Sequence, residues 1–376
     1  MTGTGLRALA RRVPGPWRAP RGSWAVCAMV AEPPELLCAF AAHYLSLGAR
    51  EVHLFLDDPE QPGVDLLKAL PHVRLTLCTD QYWQRLAGQR PVNQVMRQII
   101  NANRAYDRCR ADWFFFCDAD EFLTAEAPVA QLLRAVPETV LQCRVPMAER
   151  VLCSQEGQAH LFDGVFRVPL RENPDALRAA YGDLADMTTH GLTGHLAGKT
   201  FTRARRSDLR IRLHLSVPAN PEEEARLRQA GALRPGPDLA GSRLVHFDGM
   251  TPLHWHLKML RFYLENPPKV QAGGKVVFAK RTPARSRQVN AVYERAGDPA
   301  ALRRLRRLIE LDPDARAILE RAGGLLPAKI DPRQSVRHYL KQDLPFDVAT
   351  FDARLRARHG PLIAEYGLDE AAPGGG

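Results

Sequence analysis

Two carboxylates separated by one residue follow a strongly apolar segment of the chain. Asp118 and Asp120 come directly after the aromatic run Trp113–Cys117. Hard carboxylate oxygens suit Mg²⁺ or Mn²⁺, and these ions bridge to the oxygens of a phosphate group. A polar strand end that caps a helix produces the same pattern. The motif by itself therefore predicts either a metal site or a structural turn, and the buried aromatic run before it favours the metal site.

Three further acids stand in similar places after other apolar runs. Asp57 and Asp58 follow Val52–Leu56, and Glu32 comes shortly after Trp24–Val30. A carboxylate in such a place can accept hydrogen bonds from a nucleoside base or ribose. The sequence Asp-Asp-Pro is also common in turns, so a nucleoside contact and a simple turn both remain open.

Apolar runs of strand length alternate with helical segments in the first third of the chain. This alternation predicts parallel βαβ units, whose short apolar strands are buried on both faces. Ligands bind at the carboxyl ends of the strands in such a sheet, and this would bring the acids to one edge. The predicted strands are Trp24–Val30, Val52–Leu56, Val73–Cys78 and Trp113–Cys117, and the predicted helices are Glu35–Leu47, Val64–Leu70 and Val92–Cys109.

The chain divides into three regions of different character. Residues 1–23 contain several arginines and no acid, which predicts a disordered basic tail, with a transit peptide as the alternative. Residues 24–250 carry the α/β pattern and form the predicted main domain. Residues 251–376 are predicted to be a helical C-terminal region, with helices over Leu253–Leu264, Ala300–Ile309, Asp314–Arg321 and Phe351–Tyr366.

The composition excludes several classes of protein. The 376 residues are 45% hydrophobic and 25% charged, so the chain is not globally disordered. No apolar run is long enough to span a membrane. Seven scattered cysteines without a C-x-x-C pair predict buried reduced thiols rather than disulfides or a zinc knuckle. The sequence also lacks a P-loop, a G-x-S-x-G elbow and an H-E-x-x-H motif.

The formal net charge of +10 favours an anionic ligand. The basic residues are spread along the chain, so no nucleic-acid partner is predicted. One cluster, Arg303-Arg304-Leu305-Arg306-Arg307, predicts a solvated helix face, with contact to an anionic membrane as the alternative. We therefore expect a cytoplasmic protein, with peripheral attachment to the inner face of the membrane as the alternative.

Several of these segments resemble a known enzyme family. Residues 24–123 are similar to the nucleotide-sugar half of the family-2-like glycosyltransferases of the GT-A fold. Within that family they resemble a bacterial branch with a W-x4-D-x-D-E-F motif, which Trp113–Phe122 matches. The segment His43–Gly48 matches a helix motif of the branch, and Glu32 matches the last residue of its K-N-E. Val30-Ala31 stand in place of the K-N.

The resemblance implies a Rossmann-like fold with a mostly parallel sheet flanked by helices. It implies that a sugar is transferred from a nucleotide-diphosphate donor to a glycan, a lipid-linked acceptor or another hydroxyl acceptor, as in polysaccharide biosynthesis. Asp120 would ligate Mn²⁺ or Mg²⁺, and Asp118 would contact the metal or the ribose. The ion would offset charge on the leaving diphosphate. Asp57 or Asp58 would bind the nucleoside, with Glu32 also on the donor side.

Later parts of the chain supply further candidates under the same resemblance. His246 is the predicted third metal ligand, with His254 and His256 as the alternative pair. Lys199 would meet the diphosphate as a point charge. Five acids are candidates for the general base. Glu121 is the catalytic candidate among them because it is nearest the metal acids. The alternative is that Phe122 and Leu123 bury Glu121 as a structural group. The five acids are Glu121, Asp163, Asp183, Asp186 and Asp248.

Three other functions are consistent with parts of the sequence. A nucleotidyltransferase or a two-metal nuclease would use the same acids and would release different products. A non-catalytic nucleotide- or glycan-binding protein on a degenerate GT-A scaffold is suggested by the missing K-N. A nucleic-acid binder is suggested by the net charge alone, and it would show steeply salt-dependent binding.

Overall fold

The computed structural model describes residues 20–229, 236–265, 267–270, 276–277, 282–326 and 328–368. Residues 1–19 of the predicted basic tail lie outside the described residues. The strands are β1 Trp24–Val30, β2 Glu51–Leu56, β3 Val73–Leu77, β4 Trp113–Phe116, β5 Glu121–Ala125, β6 Gln142–Val145, β7 Met147–Cys153, β8 Val165–Arg167, β9 Lys199–Arg203, β10 Leu209–Ile211, β11 Ser216–Pro218, β12 Ser242–His246, β13 Lys269–Val270, β14 Val276–Val277, β15 Glu310–Leu311 and β16 Leu325–Leu326. The helices are α1 Pro34–Ser46, α2 Val64–Ala69, α3 Asp80–Ala87, α4 Gln94–Tyr106, α5 Val129–Ala135, α6 Pro174–Tyr181, α7 Pro221–Gln229, α8 Pro252–Glu265, α9 Pro283–Glu294, α10 Pro299–Arg306, α11 Pro313–Arg321, α12 Arg333–Leu340 and α13 Val348–Glu365.

The first sheet has six strands in the order β3-β2-β1-β4-β9-β6. Its first four strands run parallel, whereas β9 runs antiparallel to β4 and β6 runs antiparallel to β9. The four parallel strands are those predicted from the apolar runs. Their carboxyl ends therefore meet at one edge, as the acids after β1, β2 and β4 require.

Strand β1 is buried on both faces, which explains its continuous apolar sequence. Val26, Ala28 and Val30 pack into one hydrophobic cluster together with the buried face of α1. The alternate residues of β1 pack into a second cluster with Trp83 of α3 and Tyr106 of α4. Side chains of a strand point alternately to opposite faces, so the sheet is covered by helices on both sides.

A second sheet has five strands in the order β16-β8-β7-β12-β5, and β15 pairs with β7 beside it. In this sheet β12 lies parallel to β7 and antiparallel to β5. The register places His246 opposite Glu121 on one side and opposite Glu149 on the other. Residues in one row of a sheet point to the same face, so an imidazole lies between two carboxylates.

The C-terminal part of the chain, from α8 onward, is mostly helical. The four predicted helices correspond to α8, α10, α11 and α13, and α9 and α12 were not predicted. The predicted α/β architecture, a mostly parallel sheet flanked by helices with a helical C-terminal region, is confirmed. Residues of α8 and α13 line the same cavity as residues at the edge of the first sheet. The predicted domain boundary at residue 250 therefore separates segments that share one cavity. The division into domains stays a prediction.

No helix in the described part of the chain is both long and apolar enough to cross a membrane. All seven cysteines are free and buried, as the sequence predicted.

Candidate active site

A cavity of about 1230 Å³ opens at the carboxyl edge of the parallel strands. Glu32 lines it after β1, Asp58 lines it after β2, and Asp118 and Asp120 line it after β4. Lys258 of α8 also lines it, in contact with Asp120. The acids that the sequence predicted at the sheet edge therefore do reach one space, with the exception of Asp57.

Asp118 is held between two donors at the mouth of the cavity. Its Oδ2 accepts a hydrogen bond from Lys199 Nζ at 2.7 Å, and its Oδ1 accepts one from Gln98 Nε2 at 2.9 Å. The Lys199 side chain is only 1% exposed and also lies 3.5 Å from Glu121 Oε2. Lys199 therefore sits behind Asp118 and is not among the residues that line the cavity.

Glu121 is buried beneath the acidic loop. Its Oε2 accepts the backbone N–H of Asp118 at 2.8 Å, and His195 Nε2 lies 3.5 Å from Oε1. Burial by itself would raise the pKa of Glu121, but Lys199, His195 and His246 together outweigh burial and lower the pKa to about 2. The carboxylate is thus ionised and holds the acidic loop. This agrees with the alternative in which Glu121 is a buried structural group beside Phe122 and Leu123.

The acidic loop is also anchored from the first helix. The imidazole N–H of His43 on α1 donates to the Leu123 carbonyl at 2.8 Å, and the Tyr44 hydroxyl donates to the Glu121 carbonyl at 2.9 Å. Burial lowers the pKa of His43 to about 4, so the ring is neutral and its N–H is fixed as a donor. These two residues belong to the helix motif on which the family resemblance partly rests.

Asp120 faces a lysine and a histidine from distant parts of the chain. Its Oδ2 lies 2.9 Å from Lys258 Nζ and 3.5 Å from His246 Nε2. Burial would raise the pKa of Asp120, but Lys258, and next His246, outweigh burial and hold that pKa well below its usual range. The structure therefore brings together two of the three predicted metal ligands, Asp120 and His246.

A buried network of charges supports His246. Its Nδ1 lies 3.7 Å from Glu149 Oε2, and its Nε2 lies 4.0 Å from Asp248 Oδ1. Burial would lower the pKa of His246, but Asp120, followed by Glu149, outweighs burial and raises it to about 10. Asp248 is itself held by Arg285 at 2.8 Å.

Asp57, at the end of β2, forms ion pairs with two arginines. Arg97 forms a two-point contact with it, at 2.9 and 2.8 Å, and Arg90 lies 3.0 Å away. Asp58 instead lines the cavity and pairs with Arg358 of α13 at 3.1 Å. Of the two acids predicted to bind a nucleoside, Asp58 is the one that the cavity exposes.

Glu32 lies across the cavity from the acidic loop. Its Oε2 is 3.9 Å from His254 Nε2, and about a third of its side chain is exposed (33%). Burial raises the pKa of Glu32, and the nearby Asp120 carboxylate adds to the rise. His254 accepts the Met250 backbone N–H at Nδ1, so its Nε2 carries the proton and faces Glu32.

The remaining sequence candidates lie elsewhere. None of the five acids considered as a general base lines the cavity. Three of them have other partners: Asp163 accepts the backbone N–H of His160, Asp183 pairs with Arg304, and Asp186 lies near Arg178. His256 is buried on a different side of α8 from His254 and does not line the cavity. In the basic cluster, three of the four arginines pair with acids, namely Arg304 with Asp183, Arg306 with Glu310 and Arg307 with Asp312.

The arrangement does not fit a divalent metal ion. Among the residues that the structure describes, no group of three or more His, Cys, Asp or Glu is placed to hold one. The two aspartates of the predicted site turn to different lysines, Asp118 to Lys199 and Asp120 to Lys258. The requirement for Mn²⁺ or Mg²⁺ stays a prediction.

Three residues of the site were missed by reasoning from the sequence, namely Lys258, Arg285 and Glu149. Lys258 follows His254 by one helical turn on α8, and that spacing was the available signal, since residues four apart share a helix face. Glu149 and Arg285 carry no signal in the sequence, because their contacts depend on the register of the second sheet and on the packing of α9.

Comparisons with known proteins give distant structural similarities only. No protein-family model and no curated protein sequence matches the chain. Three crystal structures of S. aureus TarS 1-349 are similar to it, and two of them are complexes, one with UDP-GlcNAc and one with UDP. Their identities to this chain are 11, 11 and 10%, with TM-scores of 0.30, 0.33 and 0.30. The alignments cover 90, 93 and 93% of this chain and 92, 89 and 89% of the TarS chains. Similarity at this level leaves the function to be inferred from the site itself.

Proposed function

We propose that this protein is a glycosyltransferase that moves a sugar from a nucleoside-diphosphate donor to a hydroxyl acceptor. The proposal rests on one observation. The carboxyl edge of a parallel sheet opens into a cavity lined by both carboxylates and cations, namely Asp58, Asp120, Lys258, Arg261 and Arg285. Ligands of parallel α/β sheets bind at this edge, and an anionic diphosphate needs fixed positive charge beside it.

The size of the cavity is consistent with two substrates. Its volume of about 1230 Å³ exceeds the roughly 300–1,000 Å³ of an ordinary small-ligand site. A donor and an acceptor would share it. The acceptor class, a glycan or a lipid-linked hydroxyl compound, follows from the family resemblance and belongs to the same proposal.

The order of the first sheet supports a GT-A assignment. Four parallel strands in the order β3-β2-β1-β4 are followed by two antiparallel strands, β9 and β6. The acidic motif after β4 faces the point where the sheet changes from parallel to antiparallel pairing. The parallel part of this sheet is what the resemblance of residues 24–123 implies.

The chemistry that this site supports is charge stabilisation during transfer. When the bond between the sugar and the diphosphate breaks, negative charge develops on the leaving phosphate oxygen. Lys258 and Arg285 already lie in fixed positions at the cavity wall. Preorganised charges in a partly buried site stabilise such a transition state without further reorganisation.

The structure favours Glu32 as the general base. It lines the cavity, unlike the acids that the sequence suggested for this role. Its raised pKa is the shift that a carboxylate needs in order to accept a proton from a hydroxyl group. His254 Nε2–H faces the carboxylate at 3.9 Å.

A ligand panel with product analysis tests the proposal. UDP-GlcNAc and UDP, the ligands of the TarS complexes, come first in a series of nucleotide sugars and diphosphates measured by thermal shift. We expect one of them to raise the Tm, because a ligand that binds only the folded state stabilises it. Asp120→Asn should abolish that rise while the Tm without ligand stays near that of the wild type.

The released product then separates the alternatives. Free nucleoside diphosphate supports glycosyl transfer, whereas pyrophosphate indicates a nucleotidyltransferase. Binding without any product indicates a non-catalytic binding protein. If no nucleotide or nucleotide sugar raises the Tm, the proposed function is wrong.

A further inference from the structure

Lys258 occupies a central position among the acids of the site. Its Nζ lies 2.9 Å from Asp120 Oδ2 and 3.2 Å from Asp248 Oδ1. His246 Nε2 faces the same two oxygens, at 3.5 and 4.0 Å. Lys258 and His246 therefore share the same two carboxylate oxygens, and the ammonium is the nearer of the two groups to both of them.

The surroundings of Lys258 keep this arrangement in place. Asp248 is 2% exposed, and its second oxygen accepts hydrogen bonds from Thr193 Oγ1 at 2.7 Å and from Arg285 at 2.8 Å. The backbone N–H of Phe247 donates to the Asp120 carbonyl at 2.8 Å. The Asp248 carboxylate therefore cannot turn away from the ammonium without breaking contacts of its own, and the backbone at Asp120 is fixed.

The ammonium is charged and accessible from the cavity. Burial would lower the pKa of Lys258, but Asp120 and Asp248 outweigh burial and raise it above its usual range. About a fifth of the side chain is exposed (21%), and it lines the cavity beside Asp120. A phosphate oxygen that enters the cavity can therefore reach the charge.

A divalent ion and this ammonium would compete for the same oxygens. An ion ligated by both acids would need the two oxygens, Asp120 Oδ2 and Asp248 Oδ1, that Lys258 Nζ contacts at 2.9 and 3.2 Å. Metal binding would therefore require the lysine to leave both partners and would lose two charge-assisted contacts in a partly buried site.

We propose that Lys258 takes the place of the divalent cation in this protein and supplies the positive charge for the leaving diphosphate. This inference rests on the proposed function. In the transfer, the acceptor oxygen forms a bond to the anomeric carbon and the bond from that carbon to the diphosphate oxygen breaks. The acceptor proton goes to a cavity carboxylate. The electron pair of the broken bond stays on the diphosphate, beside the ammonium of Lys258.

Metal dependence of the wild type and of Lys258 variants tests the inference. Transfer or donor hydrolysis is measured for the full chain in EDTA and with added Mn²⁺. We expect the wild type to work equally well in both. Lys258→Met should lose about 100-fold or more in EDTA, and Mn²⁺ should restore part of that loss. Lys258→Arg, which keeps the charge, should remain insensitive to EDTA.

Binding of Mn²⁺ alone gives a readout that does not depend on turnover. By electron paramagnetic resonance, we expect the wild type to bind no stoichiometric Mn²⁺ and Lys258→Met to bind one ion. Lys258→Gln serves as the second neutral variant if the methionine variant does not fold by circular dichroism. The matched control is Lys68→Met, which removes a surface lysine that lies 3.3 Å from Asp65 and leaves the cavity untouched.

Each outcome decides one question. If EDTA abolishes wild-type transfer and Mn²⁺ restores it, or if the wild type binds one Mn²⁺, Lys258 does not replace the metal and the inference is overturned. An unchanged Lys258→Met in EDTA overturns it as well. If no nucleotide sugar binds to or reacts with any variant, the proposed function is wrong. The Mn²⁺ titration still shows, independently of that result, whether Lys258 prevents metal binding.

Discussion

Replacing the buried lysine behind the acidic loop should destabilise the whole protein. In Lys199→Met, Glu121 loses the ammonium that lies 3.5 Å from its Oε2, and Asp118 loses a hydrogen bond of 2.7 Å. About a third of the Asp118 side chain is exposed (34%), so water can solvate it. Glu121 is 1% exposed and has no such replacement.

The size of the effect follows from the uncompensated charge on Glu121. Removing one partner of a buried ion pair costs about 3–5 kcal/mol of the free energy of unfolding. For a chain of 376 residues that unfolds in one transition, this corresponds to a fall in Tm of about 4–6 °C. The surface variant Lys68→Met should change the free energy of unfolding by less than about 1 kcal/mol.

A double variant separates charge from packing. Lys199→Met combined with Glu121→Gln removes both buried charges, and we expect it to recover a large part of the lost stability, because a neutral amide costs less to bury than an unpaired carboxylate. The assays are urea unfolding and thermal melting without ligand. If Lys199→Met melts within about 1 °C of the wild type, or the double variant is as unstable as the single one, the buried charge on Glu121 does not depend on Lys199.

Three further predictions concern other parts of the site. The pKa of His43 is lowered from 6.5 to about 4 on folding, so its contribution to stability is complete above pH 6.5 and is lost as the pH falls toward 4. Between pH 6.5 and 4, urea unfolding should show that this group lowers the free energy of unfolding by up to about 3 kcal/mol. In His43→Gln the amide can still donate to the Leu123 carbonyl, so this variant should lack that part of the loss. Equal pH profiles of the variant and the wild type would contradict the prediction. A Cβ at Gly194 would stand 2.8 Å from His246 Nδ1, so Gly194→Ala should cost about 1–3 kcal/mol in unfolding experiments, and an unchanged free energy would show that the histidine can move aside. Glu32→Gln should lower kcat by at least about 100-fold with an unchanged donor Kd by calorimetry, whereas a weaker donor Kd with an unchanged kcat would assign Glu32 to donor binding.

The parallel half of the first sheet could be predicted from the sequence because its signal is local. A strand such as Trp24–Val30 is buried on both faces and reads as one apolar run. The acids after such strands follow directly from the rule that parallel strands end at one edge. Of the acids predicted at this edge, Glu32, Asp58, Asp118 and Asp120 line the cavity, whereas Asp57 does not.

The second sheet could not be predicted because its signal is not local. Strand β5 begins at Glu121, immediately after the acidic motif, and no strand is predicted there from the sequence. Its partner β12 lies about 120 residues further along the chain, and no spacing rule gives their register. For the same reason, no pattern in the sequence indicated that Lys258 would pair with Asp120, or that Asp57 would pair with Arg97.

The long distance in sequence between the charges of the site has a consequence for synthesis on the ribosome. Asp120 and Lys258 are 138 residues apart in sequence. At translation rates of about 5–20 residues per second, the acid emerges roughly 7–28 s before its lysine. During that interval the parallel strands can already pair, while the acidic loop still lacks the charges that neutralise it. Folding of this edge must therefore wait for α8, and a nascent chain stalled before residue 258 should leave the loop open to proteases.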